Sequence, residues 1–577
     1  MYRYIALPHT DGANGGDVAV IDRLRQAGLD NAQALASHTV IVAPGTPLLH
    51  IRPNAVLVGH VFWRSSGTPV GDSGCFENVE FERLVNRLIE ECWGEYILLH
   101  DGDGGALSAL RDPSGGAGCY YSCEGGFVTS DISLAIRAGI HGGSIDWDFI
   151  SETLAYPHLK TGRTGLSGVQ ELLPGRVLNI LDRRAATAES WTPWDFVAAH
   201  QRYRHPRDAQ EDVRQVVSSA VRTWAETDRT LLLELSGGLD SSIVAACLLE
   251  ADSEVNCCNL VTPVPGADER RYAGLMSDLL GFEIHVRSLR IEDAEFEFPP
   301  PSHAAVPSTW FLQHASNRLK ETIGRQLDVN SYFSGGGGDT VFGYTKTAAP
   351  AADAFRERGF RAGIRTIRDL AELHQCTVWK VARLAARKLR GPPKPPRKPD
   401  HSFLRHAIDL DASTLHPWFD APAGALSGDR ERIFDLAGNQ GFRDGAARGG
   451  RRHLRMPLLS QPVMEACLKV PSWMWFTGGR NRAIARDAFV DLLPPDILYR
   501  RSKGTFMNYS GAVYRHNRRR LRDYLLAGEL SGRGFLDTDA LHAFFNQNPD
   551  TQGDAFMRIF DLCEVENWVR HQARTQH

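Results

Sequence analysis

The stretch Ser236-Gly237-Gly238-Leu239-Asp240-Ser241-Ser242 most constrains what this chain can fold into. It follows an apolar run, Leu231 to Leu235, and precedes a helical pattern that begins near Ser242. Strand, glycine-rich turn and helix in succession aim unpaired N–H groups and the positive end of a helix dipole at one point. Glycine lets the backbone approach an anion closely there. Ser236, Ser241 and Ser242 add hydroxyl donors, whereas Asp240 brings a charge that a phosphate would repel. A Mg²⁺ between carboxylate and phosphate removes that conflict. The stretch reads as a pyrophosphate-binding loop with its own metal ligand, unlike the GxxxxGK(S/T) loop of kinases and ATPases. Taken alone, a plain strand-to-helix turn capped by Asp240 would use the same residues.

A second feature points the same way. Residues 328 to 333 read as a short strand that runs into Ser334-Gly335-Gly336-Gly337-Gly338-Asp339. Four consecutive glycines pack little and lose much entropy on ordering, so they suit a place where a ligand needs bare backbone. Asp339 then supplies a second carboxylate to the metal of Asp240. Two glycine-rich strand ends, each closing on an aspartate, fit one nucleotide site at the carboxyl edge of a parallel sheet.

At 577 residues the chain is long enough for two or three domains. An apolar content of 42% supports a sizeable core, and a formal charge of −4 gives no bias toward nucleic acid. The N-terminal residues carry no signal-peptide pattern, and no apolar run approaches the length of a membrane span. The ten cysteines form no CxxC pair, and Cys247, Cys257, Cys258 and Cys467 fall on apparent core elements. Reduced thiols in a cytoplasmic protein, with no nucleic-acid or membrane partner, are the expectation.

Residues 1–200 carry short strand patterns and little helical periodicity: 39–42, 56–58, 96–99, 106–111 and 127–129. The segment Arg111-Asp112-Pro113-Ser114-Gly115, followed by Cys119-Tyr120-Tyr121, resembles the RDPxGxxPLYY segment of the glutaminase domain in asparagine synthetase-type enzymes. Thr129-Ser130-Asp131 and Leu173-Pro174-Gly175 resemble further pieces of it. The resemblance implies an α+β, Ntn-hydrolase-like (class II glutaminase-like) sandwich. Active glutaminases of that type use an N-terminal cysteine, and this chain begins Met1-Tyr2-Arg3. A phenol cannot attack an amide as a thiolate does. The expectation is a degenerate glutaminase-like domain without internal ammonia supply.

Residues 201–577 alternate strands and helices, with 230–235, 255–262, 283–289 and 328–333 reading as strands of a parallel sheet. Asp268 to Tyr272 opens a helix; in the family that the first domain resembles this loop lies over the nucleotide, and a simple cap would use the same residues. Residues 347 to 450 are poorly patterned. Their centre, Arg387 to Lys398, holds four prolines and six basic residues, and reads as an extended basic linker near 387–400 or a basic arm for an acidic partner. Order returns at Arg455-Met456-Pro457-Leu458-Leu459-Ser460, which resembles the RxPFLD segment of asparagine synthetases with Ser460 in place of the aspartate. Arg500-Arg501-Ser502-Lys503-Gly504 resembles the segment that carries those enzymes' catalytic lysine.

The resemblance implies an α/β synthetase domain of the adenine nucleotide α-hydrolase-like (PP-loop) class, with ATP and Mg²⁺ as cofactors. The nucleotide would lie against Leu235, Ser236, Gly237, Gly238, Asp240, Ser241, Ser242, Leu260, Gly335, Gly336, Asp339 and Lys503. Asp240 and Asp339 would be the metal ligands and Lys503 the catalytic residue. Three residues before the second aspartate, ammonia-using relatives carry Glu and β-lactam-forming relatives carry Tyr; here that position is Gly336. Together with Pro457 to Pro462, Gly478-Gly479-Arg480-Asn481-Arg482 and Arg501 to Gly504, this glycine resembles the lasso-peptide macrolactam synthetases. Such a cyclase joins a peptide's N-terminal amine to an Asp or Glu side chain, and its partners would be a precursor core peptide, a leader-recognition protein and a leader peptidase. His303, Trp310 and His314 either line a peptide pocket or form an ordinary helix face. An ammonia-dependent asparagine synthetase, another small-molecule amide or β-lactam synthetase, and a silent scaffold are the alternatives.

Overall fold

The computed structural model describes residues 2–9, 16–71, 74–77, 79–266, 268–344, 346–391, 397–445, 452–500 and 504–575. Residues 4–189 build two six-stranded antiparallel sheets. One runs Gln170–Glu171, Tyr120–Ser122, Phe127–Thr129, Tyr4–Pro8, His38–Val42 and Asn31–Ala34 across its width. The other runs Arg184–Glu189, Arg176–Leu181, Leu107–Arg111, Cys92–Asp101, Ala55–Trp63 and Leu48–Arg52. Alternation along the strands explains the layering. Tyr4, Ala6, Val40 and Val42 meet Val56, Val58, Ile97 and Leu99 in one core between the sheets. The intervening Ile5, Ile41 and Leu57, Leu98 turn outward to two further cores. Both faces of the central strands are therefore covered, which is why they read as continuous apolar runs, whereas the edge strands Asn31–Ala34 and Arg184–Glu189 stay largely exposed.

The outer cover is helical, and the strand-dominated reading of this region left it out. Phe81–Glu91 buries Leu84, Val85, Leu88 and Ile89 on one stripe, a helical spacing present in the sequence. Trp147–Ala155 is capped by Asp146, whose side chain accepts from the Phe149 N–H, and buries Phe149, Ile150 and Leu154.

Residues 230–455 supply a five-stranded parallel sheet. Its order across the width is Ile284–Ser288, Glu254–Val261, Thr230–Glu234, Ser331–Ser334 and His453–Arg455. The chain builds outward in one direction from Thr230–Glu234, then returns to its other side with Ser331–Ser334. Neighbouring connections diverge there, which opens a crevice at the carboxyl ends of these two strands. Residues 347 to 450, unpatterned by sequence, contain the helices Ala349–Arg358, Phe360–Leu373, Val378–Arg390 and Ser427–Gly445. The basic stretch from Arg387 to Arg390 completes a helix rather than starting an extended linker, because the prolines begin only at position 392. Residues 392–396 lie outside the described residues.

One buried carboxylate ties the sandwich to the parallel sheet. Glu95, on Cys92–Asp101, accepts from Arg443 Nη2 at 3.0 Å and from Arg455 Nη1 at 2.9 Å. Arg455 is fully buried, donates to the Tyr2 hydroxyl at 2.9 Å and lies 4.2 Å from the centre of the Trp224 ring. The Trp224 indole N–H in turn donates to Ser460 Oγ at 3.0 Å, so Ser460 has a packing role here. Tyr2 also bonds His60 Nδ1 at 2.7 Å. Burial, with the Arg455 charge nearby, pushes the His60 imidazole down to about 3, and burial raises the Tyr2 phenol well above its usual range. Position 2 is thus a neutral, hydrogen-bonded strut.

Removing the Glu95 carboxylate leaves two arginines facing a dry interior. Glu95→Ala is expected to cost about 3–5 kcal/mol, read as a lowered urea midpoint. Arg207→Ala, which breaks the solvent-exposed pair with Glu211, is expected to cost at most about 1 kcal/mol.

Candidate active site

The two glycine loops meet in the crevice. Leu235 N–H donates to Cys258 O at 2.9 Å and Leu235 O accepts from Asn259 Nδ2 at 2.7 Å, which fixes the first strand's exit. Gly237 then takes φ +74°, and a Cβ there would lie 2.6 Å from Tyr272 Cβ, so only glycine serves this turn. Ser241 Oγ folds back onto Ser236, accepting its N–H at 3.2 Å and lying 3.0 Å from its Oγ. The helix Leu239–Cys247 has no side-chain cap at Gly238, so its first N–H groups point into the crevice. The second loop packs against the first backbone to backbone. A Cβ at Gly335 would lie 2.7 Å from Ser241 N, and one at Gly338 2.5 Å from Asp240 Cβ.

Gly336 differs from these neighbours. A Cβ there would have Met456 Sδ and Ser334 Oγ as its nearest neighbours, both at 3.4 Å. The glycine at this position is a matter of what adjoins it, not of a backbone that forbids a side chain.

Asp240 and Asp339 converge on a single cationic nitrogen. Arg482 Nη1 lies 2.9 and 3.1 Å from the two Asp240 oxygens and 3.0 Å from Asp339 Oδ1. Arg482 sits at φ +53°, a left-handed conformation uncommon for a side-chain-bearing residue, directly before the helix Ala483–Ala488. Arg486 lies behind it, and burial together with the Arg482 charge lowers its guanidinium to about 10. Two carboxylates from separate loops, aimed at one cation position beside bare backbone, suit a Mg²⁺ that takes its remaining ligands from phosphate and water. Among the described residues no cluster of three or more His, Cys, Asp or Glu offers a complete protein cage.

Two adjoining cavities open from this point. One of about 360 Å³ is lined by Gly238, Asp240, Ser241, Gly335, Gly336 and Asp339, with Arg482 and Arg500. The other, about 650 Å³, is lined by Leu235, Asn259, Leu260, Trp310, Phe442 and Met456 among others. Ser236 and Ser334 line both. Asn259 Oδ1, Ser308 Oγ, Trp310 Nε1 and Asn317 Nδ2 are buried without a hydrogen-bond partner, and all four residues belong to the larger cavity's wall. Orphaned polar atoms of this kind mark a place that a polar ligand completes.

The positions singled out from sequence divide accordingly. Leu235, Ser236 and Leu260 face the larger cavity; Gly238, Asp240, Ser241, Gly335, Gly336 and Asp339 face the smaller. Gly237 lines neither and turns its carbonyl to Arg500 Nη1 at 3.3 Å. Ser242 is fully buried in the helix. Lys503 lies outside the described residues, but its flanks do not: Arg500 Nη2 and Gly504 N both bind Glu269 Oε1, at 2.6 and 3.1 Å. Trp310 lines the larger cavity, whereas His314 stacks on Phe298 with ring centres 3.9 Å apart and lies 3.2 Å from Glu295. His303 is buried outside that wall. Sequence reasoning holds Arg482, Glu269 and Arg500 only as members of motifs and gives none of them a role of its own. The first was legible as a third polar residue after Gly478-Gly479, just ahead of a helix start.

No helix among the described residues is long and apolar enough to cross a membrane. A protein of Penicillium rubens named Amidase chyE is 26% identical over 289 residues, which cover 44% of this chain and 42% of that protein. The chain thus spans less than half the length of that relative. A family model described as asparagine synthase matches residues 212–570. That match takes in more than half of the chain, both glycine loops and the whole parallel sheet; the chain belongs to the asparagine synthase family, whose members are ATP-dependent carbon–nitrogen ligases.

Proposed function

We propose that this chain is an ATP-dependent macrolactam synthetase that joins the N-terminal amine of a precursor core peptide to an Asp or Glu side chain of the same peptide. A substrate carboxylate oxygen attacks the α-phosphorus of ATP and pyrophosphate leaves. The amine then attacks the acyl carbon, AMP departs, and the nitrogen gives up a proton as the amide forms. The observation that carries this reading is Gly336. It leaves bare the position where ammonia-using relatives carry Glu and β-lactam-forming relatives carry Tyr; it lines the smaller cavity and adjoins Met456, which lines the neighbouring cavity of about 650 Å³. A bulky acyl donor needs that room; aspartate does not. Similarity of the Gly478–Arg482 and Arg501–Gly504 segments to lasso-peptide cyclases supports the same reading.

The chain's own residues supply positioning and charge. Backbone N–H groups of the two glycine loops and the hydroxyls of Ser236 and Ser241 hold the departing pyrophosphate. Leu235 and Leu260 flank the base. Asp240 and Asp339 would hold Mg²⁺, which would neutralise charge on the leaving group. Lys503, protonated, stabilises the adenylate phosphate and the oxyanion that develops on the acyl carbon. Cavity walls of Phe149, Trp310, Phe442 and Met557 exclude water from the activated ester. A leader peptidase and a leader-recognition protein would deliver the substrate.

The test is incubation with ATP, Mg²⁺ and either a leader-free precursor peptide or aspartate plus ammonia, followed by mass spectrometry. Peptide-dependent AMP release with loss of one water from the peptide is expected. Asparagine with an unchanged peptide would overturn the reading.

Asp240→Asn and Asp339→Asn are each expected to lower AMP release by about 100-fold or more, and Lys503→Ala to lower kcat by about 10²–10³-fold. Gly338→Ala is expected to abolish nucleotide binding in calorimetry, because its Cβ would collide with Asp240. Gly336→Glu is expected to fold normally and to bind ATP, yet to lose the cyclised peptide.

A further inference from the structure

The larger cavity does not end at the nucleotide loops. Its far wall is built by the helix Phe556–Thr575, where Met557, Asp561 and Glu564 follow at helical spacing and share one face. His158, held at φ +62°, reaches this face from the sandwich side and places Nε2 3.4 Å from Asp561 Oδ1. Glu564 is only 9% exposed, and among the described residues no hydrogen bond or ion pair reaches its carboxylate. The cations on the same wall are engaged elsewhere. Lys160 Nζ lies 2.6 Å from Glu171, and Arg163 binds Asp146 and Glu152 at 3.0 and 2.7 Å. Arg397 is exposed and acts electrostatically on His158. His158 acts on Glu564 electrostatically but makes no hydrogen bond or ion pair to it, and a buried carboxylate so placed, lining a cavity, is costly unless a ligand completes it.

We propose that Glu564, with Asp561 beside it, forms a subsite that receives an ammonium group of the substrate. The assignment of that ammonium to a peptide rests on the macrolactam reading. The group is either the peptide's α-amine or a lysine side chain, and the chemistry of recognition is the same for both. Burial pushes the Glu564 carboxyl up to about 7, so near neutrality a bound cation also drives off its proton. Asp561 is more open than Glu564 and already faces His158, which leaves Glu564 as the principal contact.

Calorimetry with three probes tests this without the natural substrate. Triglycine amide presents an α-ammonium, Nα-acetyllysine amide a side-chain ammonium, and N-acetyltriglycine amide neither. Saturable binding of one or both cations, with none of the neutral probe, is expected. Which cation binds identifies the source of the ammonium. Glu564→Gln is expected to weaken that binding by about tenfold or more, and Asp561→Asn to weaken it less. At pH 7 the binding heat of the unaltered protein is expected to vary with the ionisation heat of the buffer, a dependence that Glu564→Gln removes. ATP binding serves as the control for folding and is expected to be unchanged in both variants. Absence of cation binding, or equal binding by Glu564→Gln, overturns the subsite. Cation binding lost in Glu564→Gln together with asparagine formation would keep the subsite and overturn the peptide reading.

Discussion

The close approach of two backbones at the switch point of the parallel sheet governs the rest of the site. Gly335 and Gly338 lie so near Ser241 and Asp240 that no side chain fits between the loops. That contact sets where Asp240 and Asp339 sit, which surfaces remain for phosphate, and where the smaller cavity joins the larger. Parallel strands make it possible, since both loops leave the sheet at the same edge from adjacent strands. A helix with an uncapped start then faces a loop of bare amides across a few ångströms, and an anion between them meets donors from both sides.

The sandwich contributes from a distance. Glu95 reaches across to arginines on two different C-terminal elements, and Arg455 stacks on Trp224 while it holds Tyr2. Tyr2 anchors the edge strand His453–Arg455, whose next residue, Met456, lines the larger cavity. A phenol suits this task better than a thiol. It is large enough to span from His60 to Arg455 and stays neutral when buried.

Much of this was legible in the sequence, for identifiable reasons. Strands of the sandwich and the parallel sheet announce themselves because both of their faces are buried, and the glycine loops because glycine runs are costly without a purpose. Asp240 and Asp339 follow from the loops' own logic. The helix Phe360–Leu373 is legible too, in Ile367, Leu370 and Ala371 at helical spacing, but the proline-rich run further on points toward a linker. Phe81–Glu91 was readable from Leu84, Val85, Leu88 and Ile89, but strand patterns on either side masked it. Glu564 could not have been found from sequence. Its significance lies in what fails to approach it, and that depends on two elements about 400 positions apart in the chain folding over one cavity.

Arg482 gives the site a property of its own. A guanidinium shared by Asp240 and Asp339 offsets one of their two negative charges, so the trio keeps a net charge of −1 for an incoming cation. The Arg482 ion pairs hold the two loops against each other at this point. Loading becomes an exchange of cations. A metal held by Asp240 and Asp339 would displace the guanidinium, which would then lie beside the phosphate charge that the nucleotide brings.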